Sequence, residues 1–444
     1  MKLFGTDGLR GRAGEFPLDS ETVRRLGRDL GRRLSAGGPG RVVLGGDTRE
    51  STPRIVADLA AGLGDGGCRV ASAGVITTPG IAELVLELGA RAGIAVSASH
   101  NPYEDNGIKI FGPDGRKWPD EEEEYLENRL LEDRSASPGG RPASPPPPDP
   151  DPGLVATYVS RLNASVPARL DGFRVVMDCG HGAAFQIGPR AFQRTGASVT
   201  AIHAAPDGRN INRDCGALHP QTMARTTRES GADLGVAFDG DADRSIFADE
   251  TGRILDGDDA LWVIARSWKE NGELPEGGVV GTVMSNYGLE AALQREGIAF
   301  RRAAVGDRNV ARLMDETGAA LGGETSGHVL LAPLSPAGDG ILTALILSSI
   351  VRASGRRLSE LATLEKMPQT LRNVRVGRRS PIEKSVRIVE AVDHAEVVLN
   401  GRGRVFLRYS GTEPLLRILV EGPDAEEVRT VADRLEEVVR AELV

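Results

Sequence analysis

The sequence predicts an α/β protein of several domains, in which one α/β pattern occurs three times and a smaller α+β domain closes the chain. Three observations carry this. With 444 residues the chain is too long for one hydrophobic core, so three or four domains are expected. Helical and strand patterns alternate in the manner of an α/β sheet, and the same order returns twice. After about Met367 the pattern changes to strands and helices of a different arrangement.

The elements follow in order. Val23, Leu26, Leu30 and Leu34 share one helical face behind Asp19, a cap residue, and Arg41 to Leu44 reads as a strand. A helix is expected from about Pro53 to Leu63, strands at Arg69 to Ala71 and Gly93 to Val96, and a helix near Ile81 to Leu88 between them. The second copy has strands at Phe173 to Met177, Ser198 to Ile202 and Leu234 to Phe238; the third has Val279 to Thr282, Phe300 to Ala303 and the approach to Gly322. No residue-level repeat accompanies this architectural likeness. Between Asp133 and Gly153 a run of prolines excludes helix and central strand, and predicts a linker. The closing domain has strands at Leu371 to Val376, Arg404 to Arg408 and Leu415 to Val420, with helices near Ile382 to Val392 and Ala425 to Leu443. The expected domains are therefore 1–150, 151–253, 254–366 and 367–444.

Composition excludes several functions. The chain is 40% hydrophobic and 26% charged, and no apolar run approaches the ~20 residues of a membrane span. Its start lacks a basic stretch followed by an apolar core, so a cytoplasmic protein without a membrane partner is expected. Cys68, Cys179 and Cys215 are scattered, which suits buried packing residues in a reducing compartment. A net charge of −9 argues against nucleic-acid binding, so an anionic ligand must meet locally placed arginines.

Four loops carry chemistry. In Leu234 to Arg244 (LGVAFDGDADR) an apolar run ends in Asp239, Asp241 and Asp243 with only small spacers between them. Three carboxylates this close suit one hard cation, Mg²⁺ above all. Glu250 falls at the twelfth position of a calcium EF-hand, but Arg244 occupies the sixth, where the sharp turn demands glycine, and a strand precedes the loop. The second loop, Ser97 to Phe111 (SASHNPYEDNGIKIF), leaves the end of a predicted strand, where α/β folds place ligands. It presents Ser99, a nucleophile that needs a base or metal, with Lys109 ten residues on. His100 adjoins Ser99, so their side chains are expected to diverge and a Ser-His dyad is not expected. Taken alone, this stretch reads equally well as a turn. The third loop, Gly322 to His328 (GGETSGH), offers Glu324, Ser326 and His328, which suit sugar hydroxyls but also an ordinary polar turn. In the fourth, Arg408 to Arg417 (RYSGTEPLLR), Arg408, Ser410, the Gly411 backbone and Thr412 can ring a phosphate; a hairpin turn with surface arginines is the alternative.

Together these loops resemble the α-D-phosphohexomutase superfamily, most closely its glucosamine branch. The match runs from Phe4 to Gly11 (FGTDGLRG) through Asn210 to Gly216 (NINRDCG), Gly281 to Glu290 (GTVMSNYGLE), Val305 to Asn309 (VGDRN) and Gly338 to Ile341 (GDGI), and includes all four loops. The resemblance implies three topologically similar α/β/α domains plus a C-terminal α+β domain around a central cleft, one loop from each. By that likeness Ser99 is a phosphoserine, and Ser99 with Asp239, Asp241 and Asp243 holds Mg²⁺. Glu324, Ser326 and His328 would bind the sugar, and Arg408, Ser410, Gly411, Thr412 and Arg417 the phosphate that is not transferred. Arg10, Lys109 and Arg244 would neutralise the transferring group, with Lys109 a candidate proton shuttle. Thr325 stands where the family commonly has an amide. The implied reaction interconverts glucosamine 6-phosphate and glucosamine 1-phosphate through a 1,6-bisphosphate that also primes the enzyme, supplying UDP-N-acetylglucosamine and cell-wall precursors. A homodimer and an unidentified source of the Ser99 phosphate complete the expected partners. The rival enzyme reading is a phosphomannomutase or phosphoglucomutase acting on neutral hexoses. A non-catalytic phosphosugar-binding regulator is the rival of another class, and the intact Ser99 and aspartates speak against it.

Overall fold

A computed structural model describes residues 3–5, 7–132, 145–166, 168–377, 379–410 and 414–444. They form two compact units, residues 1–282 with 303–363, and residues 283–302 with 364–444.

The larger unit begins with β1 (Phe4–Gly5), β2 (Gly8–Arg12), α1 (Ser20–Leu34), β3 (Arg41–Gly46), α2 (Thr52–Asp65), β4 (Arg69–Val75), α3 (Thr78–Leu88), β5 (Ala92–Val96), β6 (Asp105–Phe111) and α4 (Asp120–Glu132). The strands make one sheet in the order β1-β2-β6-β5-β3-β4. Strand β3 runs parallel to β4 and β5, whereas β6 turns back antiparallel to β5. All five residues of β5 (AGIAV) are buried, as expected of a strand covered on both faces. Asp19 caps α1 by accepting from the Thr22 amide, and Leu26 and Leu30 of that helix are fully buried in the core beneath.

The next elements are α5 (Pro152–Ala164), β7 (Arg174–Asp178), α6 (Ala184–Thr195), β8 (Ser198–Ile202), α7 (Gln221–Ser230), β9 (Leu234–Phe238), β10 (Ser245–Ala248), β11 (Ile254–Leu255) and α8 (Gly257–Glu270). Then come β12 (Val279–Thr282), α9 (Tyr287–Arg295), β13 (Phe300–Ala303), α10 (Asp307–Thr317), β14 (Leu321–Gly323), β15 (Val329–Leu331), α11 (Gly340–Ser354) and α12 (Leu358–Leu361). Two parallel strands followed by an antiparallel neighbour occur three times, as β3-β5-β6, β7-β9-β10 and β12-β14-β15. The second strand of each trio, β5, β9 and β14, ends in one of the loops that carry Ser99, the aspartates and Glu324. This is the α/β rule that ligands gather outside the carboxyl ends of parallel strands.

The smaller unit takes in α9 and most of β13 from the run above, and holds β16 (Gln369–Arg375), α13 (Val386–Leu399), β17 (Arg404–Tyr409), β18 (Leu415–Glu421) and α14 (Ala425–Leu443). Its antiparallel sheet has the order β16-β18-β17, and Val374, Ile418, Val420, Val428 and Leu435 share its core.

Two expectations are corrected. The stretch Asp105–Phe111, read as part of a loop, is strand β6, because the turn at Asn101–Glu104 folds IKIF back along β5. The proline-rich linker ends earlier than Gly153: Asp151 caps α5 and Pro152 occupies its first turn, a position where the missing N–H costs nothing. Residues 145–150 carry neither helix nor strand, and 133–144 lie outside the described residues.

Helices α1 and α2 touch backbone to backbone. A Cβ on Gly62 would lie 2.1 Å from the Arg24 carbonyl, and one on Gly27 2.6 Å from the Leu59 carbonyl. Alanine at Gly62 gains roughly 1 kcal/mol of helix propensity. Forcing two helix backbones apart costs more, so Gly62→Ala should lower stability by a net ~1–3 kcal/mol in urea denaturation. A stabilised variant would contradict the close packing.

Candidate active site

Ser99 leaves the buried end of β5 with φ 53°, a left-handed conformation unusual for serine. Its hydroxyl is fully buried and donates to Asp239 Oδ2 at 2.6 Å. The left-handed turn also brings Oγ to 3.3 Å from His100 Nδ1, so the two side chains do not diverge as expected. The shorter bond of the hydroxyl is the one to Asp239, not this contact. Burial, followed by the charge of Arg244, lowers the His100 pKa, and Arg244 Nη1 approaches the same Nδ1 at 3.1 Å.

The aspartates follow β9, whose five residues LGVAF are all buried. Left-handed Ala242, at φ 57°, and the small spacers let the chain close on itself. Carboxylate oxygens of Asp239, Asp241 and Asp243 lie within 4.8 Å of one another, and all three residues are buried. Asp241 Oδ2 accepts from Thr78 Oγ1 at 2.5 Å and Lys109 Nζ at 2.9 Å. Lys109 Nζ also meets Asp243 at 3.2 Å and Asp7 at 2.9 Å. It reaches them because β6 runs back beside β5. Asp7 in turn pairs with Arg10, and with Lys117 at 2.5 Å; Lys117 pairs with Asp307 at 2.6 Å.

These contacts set the proton affinities. Burial, then Asp243 and Asp241, raises the Asp239 pKa well above the carboxylate range. Burial would raise Asp243 too, but Lys109 and the neighbouring His328 hold it well below that range. Lys109 is fully buried, and Asp241, Asp243 and Asp7 together override desolvation and raise its pKa. Burial also opposes the charge on Arg244, yet Asp243 and Asp239 raise its pKa.

The acidic triad fits a divalent cation. The Oδ1 atoms of Asp241 and Asp243 are buried and have no hydrogen-bond partner, a costly condition for a carboxylate oxygen. An all-oxygen set of three carboxylates suits Mg²⁺ or a similar hard ion. A second group, Asp178, His203 and Cys215, also brings donor atoms within 4.8 Å. There Asp178 Oδ1 accepts from the Gly180 amide at 2.9 Å and Oδ2 meets His203 at 2.9 Å, so no orphaned oxygen calls for an ion.

The loop after β14 closes against this cluster. Gly327 packs so tightly on Ser245 that a Cβ would lie 2.3 Å from its carbonyl, and Gly338 would similarly strike His328 Nε2 at 2.3 Å. His328 is buried with Nδ1 3.7 Å from Asp243, and its pKa rises to about 8: desolvation lowers it, but Asp243 and Asp307 more than compensate. His328 thus sits with the carboxylates, while Ser326 is exposed. Glu324 Oε1 accepts from the Gly306 amide at 2.8 Å, and Ser326 Oγ lies 3.5 Å from Oε2. The Thr325 hydroxyl is 3.2 Å from Asp258, at the start of α8. Beside His328 and Lys109, a cavity of about 220 Å³ is lined by Lys117, Asp243, Asp307 and Arg308.

In the smaller unit Arg408 of β17 stands directly opposite Arg417 of β18. Burial and the charge of Arg417 lower the Arg408 pKa, so this pair favours an anion. Ser410 is buried, and its amide donates to the Leu415 carbonyl at 2.8 Å. Gly411 and Thr412 lie outside the described residues.

Asp7, Thr78 and Lys117 enter the charged cluster although sequence patterns do not single them out. Each owes its place to long-range pairing, and Thr78 in particular to the packing of α3 against the aspartate loop. Asp47 and Arg49 carry a clearer signal, since they follow β3 at the same edge of the sheet as Ser99.

Consecutive segments match the family described as phosphoglucomutase/phosphomannomutase: α/β/α domain I over residues 1–137, domain II over 156–252, domain III over 256–367 and the C-terminal domain over 371–438. The chain belongs to this family of hexose-phosphate mutases, and is an isomerase-class enzyme that moves a phosphoryl group within its substrate. A phosphoglucosamine mutase of Solibacter usitatus is 45% identical over 99% of both chains, and one of Thermus thermophilus is 48% identical over 98% of this chain and 97% of its own. Among solved structures, a phosphoglucomutase/phosphomannomutase family protein of Burkholderia thailandensis superposes with a TM-score of 0.80 at 24% identity, covering 99% of this chain and 97% of its own. The N-acetylphosphoglucosamine mutase of Aspergillus fumigatus, solved with GlcNAc-6P and magnesium, has a TM-score of 0.68 at 18% identity over 100% and 96% of the two chains. No helix among the described residues is long and apolar enough to cross a membrane.

Removing the Lys109 charge would leave Asp7, Asp241 and Asp243 facing one another. Lys109→Met should therefore cost ~3–5 kcal/mol of stability, the usual penalty for unpairing a buried charge. Millimolar Mg²⁺ should raise the melting temperature of this variant more than that of the unaltered protein. A variant that melts normally and ignores Mg²⁺ would contradict the charge balance described above.

Proposed function

We propose that this enzyme interconverts glucosamine 6-phosphate and glucosamine 1-phosphate, with Ser99 carrying the mobile phosphoryl group and Asp239, Asp241 and Asp243 holding Mg²⁺. The observation that carries the reading is the buried Ser99 hydroxyl, 2.6 Å from the first carboxylate of a triad that retains orphaned oxygens. Eight curated relatives share the name phosphoglucosamine mutase at 43–48% identity, which favours an amino sugar.

Phosphorylated Ser99 gives its phosphoryl group to the free hydroxyl of glucosamine 6-phosphate, forming glucosamine 1,6-bisphosphate. The bisphosphate turns end for end, and its other phosphoryl group returns to Ser99. On that return the sugar O–P bond breaks as the Oγ–P bond forms, the Ser99 proton passes by way of Asp239 Oδ2 to the departing sugar oxygen, and glucosamine 1-phosphate leaves. Bound Mg²⁺ would supply charge stabilisation to the transferring oxygens. Arg10 and Arg244 flank Ser99, Arg10 reaching the Ala98 carbonyl at 3.4 Å and Arg244 reaching His100, so both can receive charge on the phosphoryl oxygens. Three carboxylates hold Lys109 protonated, which suits a fixed counter-charge better than a proton shuttle. Arg408, Ser410, Gly411, Thr412 and Arg417 grip the phosphate that stays in place, and Glu324, Ser326 and His328 bind the sugar. Glucosamine 1-phosphate would feed cytoplasmic synthesis of UDP-N-acetylglucosamine and cell-wall precursors.

Glu324 is the group best able to accept from the 2-ammonium of the sugar. Thr325, turned toward Asp258, leaves that edge to Glu324. A neutral hexose forgoes a charge-assisted bond of roughly 1.5–3 kcal/mol, or about ten- to a hundredfold in kcat/KM. Glucosamine 6-phosphate should therefore exceed glucose and mannose 6-phosphates by this factor at one concentration of bisphosphate primer. Equal or reversed values would assign the enzyme to neutral hexoses.

A further inference from the structure

Ser99 is held by more than its own loop. Asp47 and Arg49, just beyond β3, form a fully buried ion pair, with Arg49 Nε 2.9 Å from Asp47 Oδ2. The remaining guanidinium nitrogens are directed at the carrier loop: Nη2 donates to the Ser99 carbonyl at 2.9 Å, and Nη1 to the Asn101 and Pro102 carbonyls at 3.0 and 2.5 Å. Asp47 Oδ2 accepts from Ser97 Oγ at 2.6 Å, and Ser97 Oγ accepts from the Ser99 amide at 2.9 Å. One carboxylate thus governs both backbone groups of Ser99, the N–H through Ser97 and the C=O through Arg49. Thr52 Oγ1 and the Arg49 amide occupy Asp47 Oδ1 at 3.0 and 3.1 Å, which fixes its orientation.

A second tether comes from the loop between β8 and α7. Asn212, itself left-handed at φ 59°, donates Nδ2 to the Ser99 and Asn101 carbonyls at 2.9 and 3.1 Å. The Ser99 carbonyl therefore accepts from two side chains. It also lies so near Gly240 of the aspartate loop that a Cβ there would approach it to 2.5 Å.

We infer that Asp47 and Arg49, with Asn212, are positioning residues for the Ser99 carrier: they hold its strained backbone so that Oγ points at Asp239. None of them reaches Oγ itself. Arginine is required because its planar fork serves three carbonyls and a carboxylate at once, which a lysine ammonium cannot. The inference rests on the reading that Ser99 carries the phosphoryl group.

The test uses full-length Arg49→Lys and Asn212→Gly; glycine adopts the left-handed backbone freely, so the latter removes the side chain and its two hydrogen bonds without straining the turn. Misplacing a reacting group by about 1 Å costs on the order of a hundredfold. Arg49→Lys should thus lower kcat, and the rate of Ser99 phosphorylation by a hexose 1,6-bisphosphate, by about that factor, with KM for glucosamine 6-phosphate unchanged. Asn212→Gly should lower both rates by roughly tenfold. A folded Arg49→Lys with normal kcat overturns the inference, as does a parallel loss of kcat and sugar-phosphate binding. If Arg49→Lys fails to fold, normal kcat in Asn212→Gly overturns it. Peptide mapping of phosphate in the unaltered enzyme separates the two readings. Phosphate elsewhere than Ser99 removes the carrier and this inference with it, whereas phosphate on Ser99 with normal rates in both variants removes the inference alone.

Discussion

The larger unit depends on balancing three buried carboxylates, Asp239, Asp241 and Asp243, and the half-buried Asp7 beside them. Charges placed this close in a poorly polarisable interior repel by several kcal/mol unless cations stand among them. The protein supplies Lys109 between three of them, and raises the pKa of the fourth, Asp239, the partner of Ser99. Orphaned oxygens on Asp241 and Asp243 remain. The residual demand for positive charge is what makes the cluster receptive to a hard metal ion.

This constraint explains local choices in the chain. Strand β6 returns beside β5 and so delivers Lys109 to the end of the sheet from which Ser99 departs. Gly327 and Gly338 lack side chains where one would strike Ser245 or His328, and the loop after β14 can then close on the aspartates. Thr78, at the start of α3, binds Asp241 through both its amide and its hydroxyl, which joins the first sheet's helices to the aspartate loop. Positioning by Asp47 and Arg49 belongs to the same design: a charged cluster is useful for transfer only if the serine is aimed into it.

Much of this was legible in the sequence, for identifiable reasons. Strands Ser198–Ile202, Leu234–Phe238 and Val279–Thr282 and helix Ala425–Leu443 have the predicted bounds, because short β-branched runs and a long amphipathic repeat are strong local signals. Asp239, Asp241 and Asp243 stand out because their chemistry is compressed into five residues. Strand β6 was hidden by polar residues around Asp105 and by the turn that precedes it. The contact between Ser99 and His100 was hidden as well, since adjacency in sequence gives no warning of a left-handed backbone. Asp7, Lys117 and Arg49 act across many residues, and periodicity carries no information about partners so distant.

The central claim is that Ser99 both donates and receives the transferred phosphoryl group. It is tested most directly by loading the enzyme with radiolabelled phosphate, mapping the label to Ser99, and mixing one equivalent with unlabelled glucosamine 6-phosphate. The account predicts that label leaves the protein within a single turnover and appears in the bisphosphate and the sugar monophosphates. Label that stays on the protein while product forms, or that leaves only as inorganic phosphate, would contradict it.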